Sequence, residues 1–360
     1  MSIWRYADLL HPVPAQVQFS LGEGGTPVVR SHRIGNAIGL PNLYFKLESC
    51  NPTGSYKDRF AAAAISQMRA TGKRRCVATS SGNAGSALAG YCAAAGLTCE
   101  VAIVEEAPQG KLLQMLSYGA KLFRIRGFGI DSEITGRAVK AVVRRGSAPD
   151  ASLQISAFKY SPAAMTGVQT ISYELAEQID RPIDHVFCPA GGGGLTQAVA
   201  QGFVELVQRG KLKVSPKIEC VQPAGNDTIA TPLRAGDELS RIVNCTTAVS
   251  GLQVPTIVDG HDVIRLCRAS GGTGHIAADE RVWEVQARMA REEGIFTEPA
   301  GAVALTGVLD AFEKGLIASD ACVVCLVTGS AFKDPPSIQR MTVGTTNPLV
   351  ELADFEKDCG

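Results

Sequence analysis

The chain has no excess of positive or negative charge. It also lacks the histidine patterns of common metal sites. Its 360 residues include 35 Lys plus Arg and 35 Asp plus Glu, so the formal net charge is zero. A neutral chain does not have the basic surface expected of a nucleic-acid-binding protein. The five histidines show no H-E-x-x-H or similar spacing. We therefore expect no nucleic-acid partner and no bound metal.

Segments that direct a chain to a membrane are also missing. No apolar run reaches the roughly 18–20 residues needed to span a bilayer. The first residues, M-S-I-W-R-Y-A-D, contain no basic region followed by an apolar one, so they do not indicate a signal peptide. The sequence therefore predicts no membrane association and a cytoplasmic location.

The 11 cysteines are an odd number and form no regular framework. Cys322 and Cys325 make a C-x-x-C, but they lie in the run at residues 321–327, which is typical of a buried strand. Positions three apart on a strand point to opposite faces, so these two thiols are not expected to share a ligand. We interpret them as core residues rather than as a redox or metal site.

Residues 76–225 alternate short apolar runs with helical patterns, which predicts βαβ units and parallel sheet. Further helices are predicted at residues 276–293 and 300–312. The length suggests two domains or one large α/β unit.

The run N-P-T-G-S-Y-K-D-R at residues 51–59 places a lysine directly after a turn. Lys57 could open a helix, with Ser55 as a possible N-cap. A helix N-terminus and burial both lower the pKa of an amine and make it nucleophilic. Without other signals, however, such a lysine is more often a solvated surface residue.

Two loops, each between a predicted strand and a predicted helix, carry the residues of anion sites. In T-S-S-G-N-A-G at residues 79–85, Ser80, Ser81 and Gly82 could bind a carboxylate at the helix N-terminus, although a plain capped helix is an alternative. In P-A-G-G-G-G-L at residues 189–195, consecutive glycines allow backbone amides to surround a phosphate. A dinucleotide-binding loop would need a different glycine spacing and an acidic residue about 20 positions later.

A fourth motif is the end of the predicted strand at Thr328, followed by Gly329. Its neutral hydroxyl could meet a pyridine nitrogen, or the segment is only a turn.

Together the motifs resemble, in order and over nearly the whole chain, the β-family (fold type II) of pyridoxal 5′-phosphate (PLP) enzymes, and within it the threonine synthases. The resemblance is carried by the segments at residues 23–27, 51–59, 80–85, 111–114, 118–120, 191–194, 293–299, 328–329 and 333–334.

The resemblance implies an α/β fold with two doubly wound parallel-type sheets and helices on both faces. It implies a large PLP-binding domain at residues 1–75 and 151–360, and a small substrate-closing domain at residues 76–150. Relatives of this kind are commonly homodimers. The implied cofactor contacts are the Schiff-base lysine Lys57, Asn83 at the 3′-oxygen, Thr328 at the ring nitrogen, and Gly191, Gly192, Gly193, Gly194 and Leu195 at the phosphate. The implied substrate contacts are Ser80, Ser81, Gly82 and Lys159.

The implied reaction is γ-elimination of phosphate from O-phospho-L-homoserine followed by water addition to give L-threonine. One segment departs from the pattern: threonine synthases commonly carry Asn-Pro-Tyr-Arg where this chain has S-P-A-A at residues 161–164. The arginine position is Ala164, and Lys159 is the candidate replacement cation. β-Replacement, as in cysteate synthase-like enzymes, and β-elimination, as in serine or threonine dehydratases, are therefore alternatives. A non-catalytic protein that binds PLP or an amino acid is a third.

Overall fold

The protein is described by a computed structural model that covers residues 2–107 and 109–357. Helices and strands alternate along most of the chain, as predicted. The strands are β1 (Val28–Arg30), β2 (Leu43–Leu47), β3 (Arg75–Thr79), β4 (Thr98–Ile103), β5 (Lys121–Arg124), β6 (Ala151–Leu153), β7 (His185–Pro189), β8 (Lys217–Pro223), β9 (Gly274–Ala277) and β10 (Val323–Val327).

The helices lie between and after these strands. They are α1 (Ile34–Ile38), α2 (Lys57–Ala70), α3 (Asn83–Ala94), α4 (Gln109–Ser117), α5 (Ser132–Gly146), α6 (Pro162–Gln178), α7 (Gly194–Gln208), α8 (Ala230–Ala235), α9 (Gly260–Ala269), α10 (Asp279–Glu293), α11 (Pro299–Glu313), α12 (Pro335–Met341) and α13 (Leu352–Lys357). No helix in the described part of the chain has both the length and the apolar character that crossing a bilayer requires.

The strands form two sheets. The larger has six strands in the order β1-β2-β10-β7-β8-β9, and the smaller has four in the order β5-β4-β3-β6. Among the strands of the described residues, only the β1–β2 pair is antiparallel, and every other pair is parallel. This confirms the α/β fold with two parallel-type sheets.

The smaller sheet uses residues 75–153, close to the predicted small domain at residues 76–150. Its last strand, β6, lies just beyond that boundary and pairs with β3 in the register Arg75↔Ala151. The strand was predicted two residues later, at residues 153–156. The division into two domains itself stays a prediction.

The predicted helix at residues 276–293 is wrong at its first residues. Ile276 and Ala277 belong to β9, which pairs with β8, and the helix begins at Asp279. The apolar pattern continues from strand into helix without a break, so periodicity alone does not mark the boundary. The helix predicted at residues 300–312 is present as α11.

A fully buried ion cluster joins three elements of the large-sheet half. Arg59 on α2 donates hydrogen bonds to Glu48 at 2.7 and 2.8 Å and to Glu174 on α6 at 2.6 and 2.8 Å. Lys46 on β2 pairs with Glu174 at 2.6 Å. The two positive and two negative groups balance, which is the condition under which buried charges are tolerated. The cluster fixes α2, whose first residue is Lys57, against β2 and α6.

Candidate active site

A cavity of about 410 Å³ opens where strands of both sheets end. The carboxyl ends of parallel strands are the usual place for a ligand in α/β folds. One side is formed by the large-sheet half of the chain, through Lys57, the loop after β7 and Thr328 after β10. The opposite side is formed by the loop after β3 and by Lys111 on α4. We call these the large-sheet side and the small-sheet side.

Lys57 is the first residue of α2, and its Nζ donates a hydrogen bond to Ser156 Oγ at 2.7 Å. Burial lowers the pKa of Lys57 to about 8, while the carboxylate of Asp259 opposes this shift. The prediction that Ser55 caps the helix is wrong. Ser55 pairs with Gly329 in an isolated bridge beside the end of β10, and Tyr56 takes the cap position without a side-chain bond.

The glycine loop lies at the N-terminus of α7, which no side chain caps. Gly193 has a φ of +100°, and a Cβ added there would come within 2.8 Å of Val263. Both the backbone conformation and the space therefore require glycine. Gly191, Gly192, Gly194 and Leu195 also line the cavity. The loop presents the positive end of a helix to the cavity with no side chain between them.

Ser80, Ser81, Gly82 and Asn83 line the small-sheet side, at the start of α3. The N–H of Gly82 donates to Ser80 Oγ at 3.2 Å, which bends the loop toward the helix. Asn83 Nδ2 donates to Glu298 Oε1 at 2.5 Å, whereas Asn83 Oδ1 is buried without a hydrogen-bond partner. An unpaired buried polar atom at the cavity indicates a missing ligand.

Glu298, just before α11, is a site residue that sequence reasoning did not single out. It is 1% exposed and lines the cavity. Lys111 Nζ lies 3.1 Å from Glu298 Oε2 and donates to Ser250 Oγ at 2.9 Å. Lys111 was also missed, although both residues lie in segments that carry the family resemblance. Glu298 thus bridges Asn83 and Lys111, and connects the two sides of the cavity.

Asp259 is a third missed residue, with no sequence motif to mark it. Its carboxylate accepts from the N–H groups of Phe158 and Lys159 at 2.9 and 3.0 Å, and its own N–H donates to the carbonyl of Gly192 at 3.0 Å. Burial raises the pKa of Asp259. These contacts connect the segment after β6 to the glycine loop, so Asp259 positions the loop.

Thr328 directly follows β10, is 4% exposed and lines the cavity with Lys57. Lys159 is not brought there: its side chain is exposed and its Nζ lies 3.5 Å from the carbonyl of Ile257. The hypothesis that Lys159 replaces the missing arginine has no contact to support it. Ala164 is 1% exposed in the core packing of α6 and is not among the cavity residues.

Comparison with known proteins agrees with this geometry. The family model described as pyridoxal-phosphate dependent enzyme matches residues 19–329. The chain belongs to this family. Its cofactor is therefore PLP, and it is a PLP-dependent enzyme, which removes the alternative of a non-catalytic binding protein.

Curated relatives are similar over nearly the whole chain. The threonine synthase of Methanosarcina acetivorans is 32% identical over 340 residues, which cover 94% of this chain and 81% of the relative. The threonine synthase of Mycobacterium tuberculosis is 32% identical over 357 residues, which cover 99% of this chain and 95% of the relative.

Solved structures show the same fold at lower sequence identity. A processed threonine deaminase isoform 2 from Solanum lycopersicum has a TM-score of 0.75 at 19% identity, covering 96% of this chain and 94% of the other. A serine racemase from Dictyostelium discoideum has a TM-score of 0.69 at 24% identity, covering 85% and 92%. These structures confirm the type II fold of PLP enzymes.

The residues of the cavity fit PLP. The cavity volume falls within the range of about 300–1,000 Å³ usual for small-molecule sites. An amine with a lowered pKa, an uncapped helix N-terminus with a glycine loop and the unpaired Asn83 Oδ1 all face it. Lys57 would hold the aldehyde carbon, the loop at residues 191–195 the phosphate, Asn83 the 3′-oxygen and Thr328 the ring nitrogen. When bound, PLP withdraws electrons from the α-carbon of an amino acid.

Proposed function

We propose that the protein acts on O-phospho-L-homoserine, releases phosphate from Cγ and adds water at Cβ to give L-threonine. It would thus be a lyase of the threonine synthase type. The observation that carries the proposal is the similarity to threonine synthases along nearly the full length of both chains.

The cavity supplies a cation for an anionic substrate. Lys111 is 2% exposed, and its ammonium lies beside Glu298 and Ser250 rather than in solvent. A substrate phosphate that took the place of Ser250 or Glu298 at this ammonium would gain a charge-assisted hydrogen bond. Lys111 thus offers the positive charge that Ala164 does not, although as a single point charge it lacks the bidentate geometry of arginine.

Each remaining step is assigned to a residue of the chain. The N–H groups and hydroxyls at residues 80–82 bind the substrate carboxylate and orient Cα toward Lys57. The amine of Lys57, neutral above its lowered pKa, removes the proton from Cα and can return it at a neighbouring carbon. The hydroxyl of Thr328 gives the cofactor ring a neutral partner, which favours elimination and replacement over transamination.

The test is a substrate panel in which three products are measured. Purified enzyme would be incubated with O-phospho-L-homoserine, L-threonine, L-serine and O-phospho-L-serine, while phosphate, 2-oxo acid and L-threonine are measured. We expect phosphate and L-threonine in equal amounts from O-phospho-L-homoserine. Turnover of the other substrates without activity on this one would overturn the proposal.

A variant at Lys111 examines the anion-binding role separately. Lys111→Met retains much of the side-chain volume but removes the charge, so we expect a KM for O-phospho-L-homoserine raised roughly 10- to 100-fold, the equivalent of a lost hydrogen bond to a charged group. Lys121→Met, on an exposed part of β5, is the matched control. An unchanged KM would remove Lys111 from phosphate binding.

One observation favours a second reaction, β-elimination from a hydroxy amino acid. None of the described residues that line the cavity is an arginine, and Ala164 is buried outside it. An enzyme whose substrate has no phosphate does not need that arginine. Release of ammonia and 2-oxo acid from L-threonine or L-serine would support this reaction. Association as a homodimer stays a prediction.

A further inference from the structure

Three cysteines that are far apart in sequence meet in the small-sheet half of the molecule. Cys76 on β3 and Cys99 on β4 are register partners on neighbouring parallel strands, so their side chains share one face of the sheet. Cys92 comes from α3, which packs over that face. The three Sγ atoms all lie within 4.8 Å of one another. We call this group the cysteine cluster.

The cluster is dry and contains only sulfur ligands. Cys76, Cys92 and Cys99 are 0%, 0% and 5% exposed, and they pack within the apolar core. Within residues 2–107 and 109–357, this is the one group of three or more His, Cys, Asp or Glu whose ligand atoms approach so closely. Free thiols are common in cores as single residues, but a convergent set of three defines a coordination geometry.

The ligand set distinguishes among metal ions. Structural Zn²⁺ sites are almost always four-coordinate, and the described residues offer no fourth His, Cys, Asp or Glu ligand here. Hard cations such as Mg²⁺ and Ca²⁺ require oxygen ligands. Soft thiolates favour Cu(I), which accepts three sulfur ligands.

We propose that Cys76, Cys92 and Cys99 form a three-coordinate binding site for Cu(I). Each Cu–S bond formed at a thiol replaces an S–H bond, and the proton goes to solvent, so neither copper nor sulfur changes its oxidation state. Occupancy joins the amino ends of β3 and β4 to the last turn of α3. The site is separate from the cavity and does not depend on which amino acid the enzyme uses.

The experiment is an anaerobic titration of the reduced holoenzyme with Cu(I), in competition with a chromophoric Cu(I) chelator. Cys50 and Cys245 are less buried thiols and Cys359 lies outside the described residues, so all three are first replaced by serine. We expect one equivalent of Cu(I) to remain on the protein. Cys76→Ala, Cys92→Ala and Cys99→Ala should each weaken Cu(I) binding. Loss of a group that supports a metal ligand costs roughly 10- to 100-fold in affinity, and we expect loss of a ligand itself to cost more.

Cys188→Ala is the matched control, because Cys188 is also fully buried but outside the cluster. It should leave Cu(I) binding unchanged, and the visible absorption of bound PLP shows that each variant is folded. X-ray absorption of the Cu(I)-loaded parent protein requires no further variant and should show three sulfur neighbours. No retained copper, equal retention in all variants or a different number of sulfur neighbours would each overturn the proposal.

Discussion

The two sides of the cavity are held in place by different forces. The large-sheet side carries Lys57 on a helix that is fixed by the buried ion cluster of Arg59, Glu48, Glu174 and Lys46. The small-sheet side reaches across the cavity through hydrogen bonds and ion pairs at single residues, such as Asn83 and Lys111 to Glu298. Buried charge pairs therefore fix the large-sheet side, whereas the small-sheet side depends on a few polar contacts with Glu298.

The largest effect on activity is expected at Lys57. Lys57→Ala removes both the covalent attachment of the cofactor and the proton-transferring amine, and loss of such a group costs roughly 100- to 10,000-fold in rate. The visible absorption of bound PLP should disappear, while far-ultraviolet circular dichroism stays unchanged because the ion cluster is intact. Retained activity in this variant would contradict the assignment of Lys57.

The largest effect on stability is expected at Arg59. Arg59→Met leaves Glu48 and Glu174 buried without their main cation, and breaking a buried pair costs about 3–5 kcal/mol. Arg75→Met, on β3 of the smaller sheet, is the matched comparison. Its bonds to Asp150 and Glu100 are partly exposed, so we expect a much smaller loss of stability than for Arg59→Met. Urea unfolding of both variants checks the contrast. Equal losses of unfolding free energy in the two variants would mean that the two halves are held by similar forces.

An intermediate effect is expected in the pH dependence of cofactor attachment. Because the pKa of Lys57 is lowered from 10.5 to about 8, the neutral amine is scarce below pH 8 and predominates above it. The rate at which apoenzyme regains its visible absorption should rise about tenfold per pH unit below pH 8 and level off above about pH 9. A rate that continues to rise to pH 10 would show an amine with an ordinary pKa.

The smallest effect is expected at Lys159. Its side chain is exposed and outside the cavity, so Lys159→Ala should change kcat/KM by less than about twofold, as for most surface substitutions. Its backbone N–H to Asp259 is retained in alanine. A large rise in KM for a phosphorylated substrate would instead restore Lys159 as the anion-binding residue and displace Lys111.

The short motifs were sufficient to predict much of the site. Lys57, Asn83 and Thr328, together with the loops at residues 80–82 and 191–195, line one cavity, as the family resemblance implied. The carboxyl ends of parallel strands lie at one edge of a sheet. Residues that directly follow different strands therefore come close together in space. Lys159 fails this rule because it lies on the outer part of the segment after β6.

Residues that act through distant partners could not be predicted in this way. Asp259 precedes a helix with no distinctive motif, and its role depends on the N–H groups of Phe158 and Lys159, about 100 residues earlier. Glu298 and Lys111 lie in segments of family resemblance, yet nothing in either segment shows that the two charges pair. The cysteines gave no pattern at all, because Cys76, Cys92 and Cys99 converge only through strand register and the packing of α3.

The sequence by itself determined the alternation of strands and helices, the glycine loop and the lysine at a helix start, because these depend on local periodicity and backbone conformation. The tertiary structure alone decided which lysine besides Lys57 faces the cavity and which cysteines meet. Those outcomes depend on how elements far apart in the chain pack together. The local pattern of residues does not show which of these elements come into contact.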